Sequence, residues 1–121
     1  MISLKPKGLF VLDTWAYENI YGDELGTAIA SRLDLVGPPV TAAQLASRMD
    51  LLRDVEVIMS GWGMSLMNEE FLAAAPNLKA VFHGAGSIKP LVSDAFWRRD
   101  IRIVSAYVMN AVPVAEYTLA A

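Results

Sequence analysis

Residues 79–90, KAVFHGAGSIKP, carry the types and spacing in this chain best suited to chemistry. The sole histidine, His83, is followed by Gly84, Ala85, Gly86 and Ser87. Consecutive N–H groups with little side chain in front of them can form a concave nest for a small anion, and a carboxylate is a fitting guest. The same glycines can instead make a tight turn or admit a closely packed helix. His83 is open to two readings as well: a ligand hydrogen bond, or a satisfied structural group at a strand end. A second glycine-flanked residue, Trp62 in SGWGMS, can either wall a pocket or cap the core.

Several common chemistries lack their residues. GAGS is no dinucleotide fingerprint, because Lys89 and Pro90 stand where the third glycine of G-x-G-x-x-G would fall. There is no Walker pattern, His-Glu-x-x-His pair or nucleophile elbow. With one His and no Cys, a metal site would rest on carboxylates, and none are spaced for it. The segment DTWAYENIYGD lacks the hydroxyl- and glycine-rich phosphate loop that FMN requires. Ser60 stands where a phosphoacceptor receiver domain would carry its Asp.

The elements that must position these loops recur regularly. Short apolar runs begin at Gly8, Leu33, Val55, Lys79 and Ile101, at intervals of 25, 22, 24 and 22 residues. Between them lie helical signals. Ile20, Leu25 and Ile29 mark one helical face, weakened by Gly22 and Gly26. Thr41 and Gln44 form a capping box, with Leu45 and Met49 following at helical spacing. Asn68 can cap a turn holding Glu69 and Glu70, and Ser93 can cap DAFWRR, where Arg98 and Arg99 suit the helix's own C-terminal end. Phe96 and Trp97 are both expected in the core, Met59, Met64 and Met67 as gap-fillers, and Pro113 as the first residue of a helix running to the end.

Five strands alternating with helices predict an α/β fold: a flavodoxin-like open parallel sheet, order 2-1-3-4-5, with helices on both faces. No linker or charge block divides residues 1–121, so one domain is expected. In such sheets ligands bind beyond the carboxyl ends of the strands. That gathers DTWAYENIYGD, SGWGMS, HGAGSIKP and SAYVMNA at one end.

Composition narrows the partners. A net charge of −3 argues against nucleic acid. No stretch approaches the ~20 apolar residues that span a bilayer, so no membrane partner is expected. GLFVL near the N-terminus is too short for a secretory signal, and the absence of cysteine suits a cytoplasmic location. Hydrophobic residues reach 55% while charged ones stop at 19%, below the usual 25% or so. Alanine richness explains part of this; an apolar surface facing another domain or subunit would explain the rest.

Over roughly residues 55–121 the chain resembles the N-terminal, substrate-binding domain of the D-isomer-specific 2-hydroxyacid dehydrogenases. The resemblance rests on ordered blocks. L-x-x-A-P-x-L-K is met by Leu72, Ala75, Pro76, Leu78 and Lys79, and G-A-G by Gly84, Ala85 and Gly86. Ile101, Val104 and Asn110 follow, and then Val114, Ala115 and Glu116. Two departures stand out: Ser87-Ile88-Lys89-Pro90 where many members carry acidic or amide residues, and SAYVMNAVP where they have a glycine-rich stretch.

The resemblance implies a substrate carboxylate held by the amides of the 84–87 loop, with Ala85, Gly86 and Ser87 as contacts. It implies Ser60, Gly61 and Trp62 as cleft wall, and Asn110 lining hinge and cleft. The implied reaction in the parent protein is NAD(P)-dependent interconversion of a D-2-hydroxy acid and a 2-keto acid. The catalytic residues and the Rossmann domain that binds NAD or NADP would follow the VAE helix, so the chain is expected to be truncated before them. By itself it should bind no cofactor and turn over no substrate, and His83 does not match the family's catalytic histidine. A missing Rossmann domain or a second copy of the chain, as a homodimer, is the expected macromolecular partner. The alternative is a stand-alone flavodoxin-like module that binds a ligand or partner without catalysis.

Overall fold

A computed structural model describes residues 5–84 and 88–105 of the chain. Strands β1 (Lys7–Val11), β2 (Asp34–Leu35), β3 (Val57–Ser60), β4 (Ala80–His83) and β5 (Arg102–Ser105) form one sheet in the order 2-1-3-4-5. Every pairing is parallel. This is the expected flavodoxin-like arrangement. Each crossover carries helix: α1 (Thr14–Ile20) and α2 (Gly22–Ala30), then α3 (Ala42–Ser47) with a 3-10 turn at Met49–Leu52, α4 (Glu69–Ala74), and α5 (Asp94–Arg98).

Side chains alternate along a strand, so the apolar run of β1 feeds two cores at once. Leu9 and Val11 face one side with Ile58 and Val81, under Leu45, Leu52, Phe71 and Phe96 of α3, the 3-10 turn, α4 and α5. Phe10 and Leu12 face the other with Met59 and Phe82, under Ala16 of α1, Tyr21 between the two helices and Ile29 of α2. Met59 and Met67 are buried, and Met64 packs half-buried against the first core, as their gap-filling role requires.

The helix starts follow their local signals. Thr41 Oγ1 accepts from Gln44 N–H while Gln44 Oε1 accepts from Thr41 N–H, completing the capping box. Asn68 Oδ1 accepts from Phe71 N–H, and Ser93 Oγ from Phe96 N–H. Ser93 Oγ also donates to Met67 O at 2.7 Å, tying two loops together. At the opposite, amino-terminal edge of the sheet, Lys7 pairs with Asp34 and Lys79 with Glu56.

Two local expectations need correction. The face through Ile20, Leu25 and Ile29 is not one helix: it breaks at Tyr21–Gly22, where Gly22 has φ +63°. The break turns Tyr21 inward, where it is 8% exposed. Trp97 is not core; it is 54% exposed and meets the buried Phe96 edge-on at 5.2 Å. Adjacent helical residues point about 100° apart, so a five-residue helix aims only one of them at the sheet. Arg98 and Arg99 do stand at the end of α5 as expected, and the Arg99 side chain also reaches a second helix, donating to Leu72 O, Ala75 O and Pro76 O at the end of α4. The helix expected from Pro113 lies outside the described residues.

Candidate functional site

β3 and β4 run in register, pairing Ser60 with His83 at their carboxyl ends. That register brings two polar side chains together inside an apolar sheet. Ser60 is 0% and His83 6% exposed, and Ser60 Oγ lies 2.9 Å from His83 Nδ1. Among the described residues no buried side-chain polar atom lacks a partner. Burial pushes the His83 pKa below its ordinary value, because the charged imidazolium loses hydration there. The structural reading of His83 accounts for this contact; its neighbour is Ser60.

A third group locks the pair. Tyr21 reaches across from the α1–α2 break, and its hydroxyl donates to Ser60 O at 2.7 Å. The same carbonyl accepts from Gly84 N–H at 2.8 Å, using both its lone pairs. Burial pushes the Tyr21 hydroxyl pKa upward, so it stays a donor. Nothing local in the sequence signals Tyr21; only its position in a helix break, opposite a polar strand end, gives it this role.

Gly84 corrects part of the nest expectation. Its amide is spent on Ser60 O, and a Cβ there would collide with Ile20 Cγ2. The first glycine therefore answers to close packing of α1, and any amides offered to an anion must come from Ala85, Gly86 and Ser87. These three, like Asn110, lie outside the described residues.

Gly61 is held in the same way. A Cβ would strike Ile20 Cδ1 and come within 2.9 Å of Leu12 Cδ1. Beyond it, Trp62 O accepts from Asp13 N–H at 2.8 Å, which ties the loop after β3 to the end of β1. Gly63 follows at φ +87°, with the Asp13 carboxylate in the space its Cβ would need. The Trp62 backbone is therefore tied to the end of β1, yet the residue is 45% exposed, so it caps no core. Its ring stacks on Trp15 of α1, with centroids 5.2 Å apart and planes 13° apart. Trp15, itself 55% exposed, was not singled out from the sequence. A second tryptophan two residues past the β1 loop aspartate was the available signal.

The described residues offer no cradle for a dinucleotide. The glycines at the strand ends, Gly61 and Gly84, are roofed by Ile20, and no G-x-G-x-x-G opens a helix. Nor do three His, Asp or Glu side chains converge as a metal cluster among the described residues. No helix among them is long and apolar enough to cross a membrane.

An all-parallel 2-1-3-4-5 sheet with polar groups at the ends of its central strands is the class of protein the fold defines. Among solved structures, the chain is similar to NAD-dependent formate dehydrogenase from Staphylococcus aureus, solved in complex with NAD. The identity is 24% and the TM-score 0.56, over 92% of this chain. At that identity the likeness is one of fold. This chain spans only 34% of that protein's chain. No family model matches the sequence, and no curated protein matches it either.

Proposed function

We propose that residues 1–121 form the substrate-binding domain of an NAD(P)-dependent oxidoreductase interconverting a D-2-hydroxy acid and a 2-keto acid. The observation that carries this reading is the side-by-side arrangement of the β3 and β4 ends, where Ser60 O receives Gly84 N–H and the chain then enters Ala85, Gly86 and Ser87. Two further lines support it. The ordered sequence blocks resemble the D-isomer-specific 2-hydroxyacid dehydrogenases, and the fold likeness is to an NAD-dependent dehydrogenase.

In this reading the amides of Ala85, Gly86 and Ser87 hold the carboxylate, while Ser60, Gly61 and Trp62 wall the cleft and Asn110 lines its hinge side. The Ser60–His83 pair fixes the strand ends that carry both loops. The residues described here do not fit a nicotinamide cofactor; in this reading a Rossmann domain outside this chain would hold it, and it would supply the hydride chemistry. This chain anchors and orients the acid.

The test is a titration of the ¹⁵N-labelled chain with pyruvate, followed by amide chemical shifts. Saturable shifts concentrated at 85–87 and 60–62 are expected. Shifts absent there, or scattered over the surface, would overturn the reading. Mixed with NAD and a 2-hydroxy acid alone, the chain should form no NADH.

A further inference from the structure

We infer that the stacked Trp15–Trp62 pair and the Asp13 carboxylate beside it form a binding site for a small organic cation, an alkylated ammonium group. The inference stands apart from the carboxylate-anchoring reading above and uses only described residues.

Trp15 and Trp62 are about half exposed, and their rings stack with centroids 5.2 Å apart. The Asp13 carboxylate belongs to both segments that carry them. Asp13 N–H donates to Trp62 O at 2.8 Å, and the carboxylate fills the space that a Cβ on Gly63, one residue past Trp62, would need. Trp15 follows Asp13 by two residues, and Glu18 stands one helical turn further along α1. Neither carboxylate is spent within the described residues. Asp13 makes no side-chain cap on α1, and the ion pairs there include neither Asp13 nor Glu18.

Charge selects the occupant. No Lys or Arg occurs in residues 8–31, which hold Trp15, or in residues 54–78, which hold Trp62. The face of an indole is the negative part of its quadrupole, so the rings attract a cation as the carboxylates do. A bare metal ion is not served, because no three His, Asp or Glu side chains converge among the described residues. An alkylated ammonium is served by both parts, with its carbons on the rings and its charge toward Asp13. Area favours a small molecule over a protein. A whole tryptophan side chain buries about 150–250 Å², so two half-exposed ones fall well short of the ~800 Å² per partner of a stable interface. Trp97 provides the contrast: equally exposed, it meets Phe96 edge-on and is followed in the chain by Arg98 and Arg99.

The test titrates choline, and its uncharged isostere 3,3-dimethylbutan-1-ol, into the full ¹⁵N-labelled chain at constant ionic strength, reading the indole N–H shifts. Choline should shift Trp15 and Trp62 saturably and leave Trp97 in place. The isostere should bind about fivefold more weakly, the size of a partly exposed cation–π contact. Trp15→Ala should abolish saturable binding, and Trp97→Phe should leave it unchanged. Asp13→Asn, which keeps the backbone bond to Trp62 O, should weaken choline severalfold and the isostere not at all. Equal binding of choline and isostere overturns the site and leaves a plain apolar patch. Choline binding that survives Trp15→Ala, or that Asp13→Asn does not weaken, overturns it as well, as does the absence of any choline shift. Self-association that Trp15→Ala abolishes, with no choline binding to the wild type, would assign the pair instead to an interface between copies. Pyruvate shifts at 85–87 and 60–62 are read separately, so either conclusion can fail without the other.

Discussion

Ser60 Oγ and His83 Nδ1 sit 2.9 Å apart at the ends of two paired central strands, and both side chains are buried. The contact fixes the polarity of the position. A neutral imidazole can share a proton with the hydroxyl from either side, whereas an imidazolium would bring a charge into the space between Phe82 and Gly84. Ser60→Ala should therefore leave the imidazole nitrogen without this partner and cost about 1–3 kcal/mol. The urea midpoint of unfolding checks it, with an unchanged slope showing that the fold is kept.

The same burial makes stability depend on pH. The folded pKa of His83 lies below the ordinary 6.5. Above that value the imidazole is neutral in both states, so its contribution is fully present. As pH falls below about 6.5, the unfolded chain takes up a proton that the folded one resists, and stability declines until the folded pKa is passed. His83→Gln should flatten the urea midpoint between pH 7.5 and pH 5.5, while the wild type loses stability over that range. Glu56, whose pKa the Lys79 ammonium and Lys7 N–H hold below the usual carboxylate value, acts only at more acid pH. A slope that persists in His83→Gln would remove His83 from this role.

Tyr21 makes a separate prediction, because its hydroxyl and Gly84 N–H share one carbonyl. Tyr21→Phe keeps the ring against Phe10, an edge-on contact at 5.1 Å, and removes the donor to Ser60 O. A loss of about 1 kcal/mol is expected, since Gly84 N–H still satisfies the acceptor. Spectrophotometric titration supplies an independent reading. The Tyr21 phenol should not ionise in the ordinary range while the chain stays folded, so Tyr21→Phe should leave the absorbance change there unaltered.

Gly84→Ala tests the close approach of α1. The added methyl would collide with Ile20 Cγ2, which is fixed near the backbone and cannot swing aside. Overpacking of this kind costs about 1–3 kcal/mol. Ile20→Ala should relieve part of that cost, so the double variant should be more stable than the two single losses added together. Strict additivity would mean that Ile20 is not what excludes a side chain at 84.

Much of this fold was legible because its signals are local or periodic. The Thr41–Gln44 box, the Asn68 and Ser93 caps and the apolar runs of the strands each act within a few residues, and all stand where the sequence put them. The site was less legible. Ser60 and His83 are 23 residues apart, and Tyr21 and Ser60 are 39 apart, so their contacts exist only once the sheet's register and the helix break are set. Gly84 was misassigned in part for the same reason. A glycine that frees an amide and one that admits a neighbouring helix look alike until Ile20 is placed beside it.

Arg99 shows the same long-range dependence and carries the last prediction. Its guanidinium nitrogens donate to Leu72 O at 2.9 Å, Ala75 O at 2.9 Å and Pro76 O at 3.2 Å, adding to the backbone bonds that Leu72 O and Ala75 O accept from Ala75 N–H and Leu78 N–H where α4 ends. Lysine carries the same charge but not the planar fork that reaches several acceptors at once. If the fork matters, Arg99→Lys should lose about half of what Arg99→Ala loses, which is itself about 1.5–3 kcal/mol for charged hydrogen bonds. If only charge near the helix end matters, Arg99→Lys should be close to wild type, because a helix terminus responds to any nearby cation. Arg98 is the internal control. Its ion pair with Glu69 is exposed on both sides, so Arg98→Ala should change the unfolding midpoint little. Thermal and urea unfolding of the three variants under one buffer would separate a fork that joins α5 to α4 from a mere charge at the helix end.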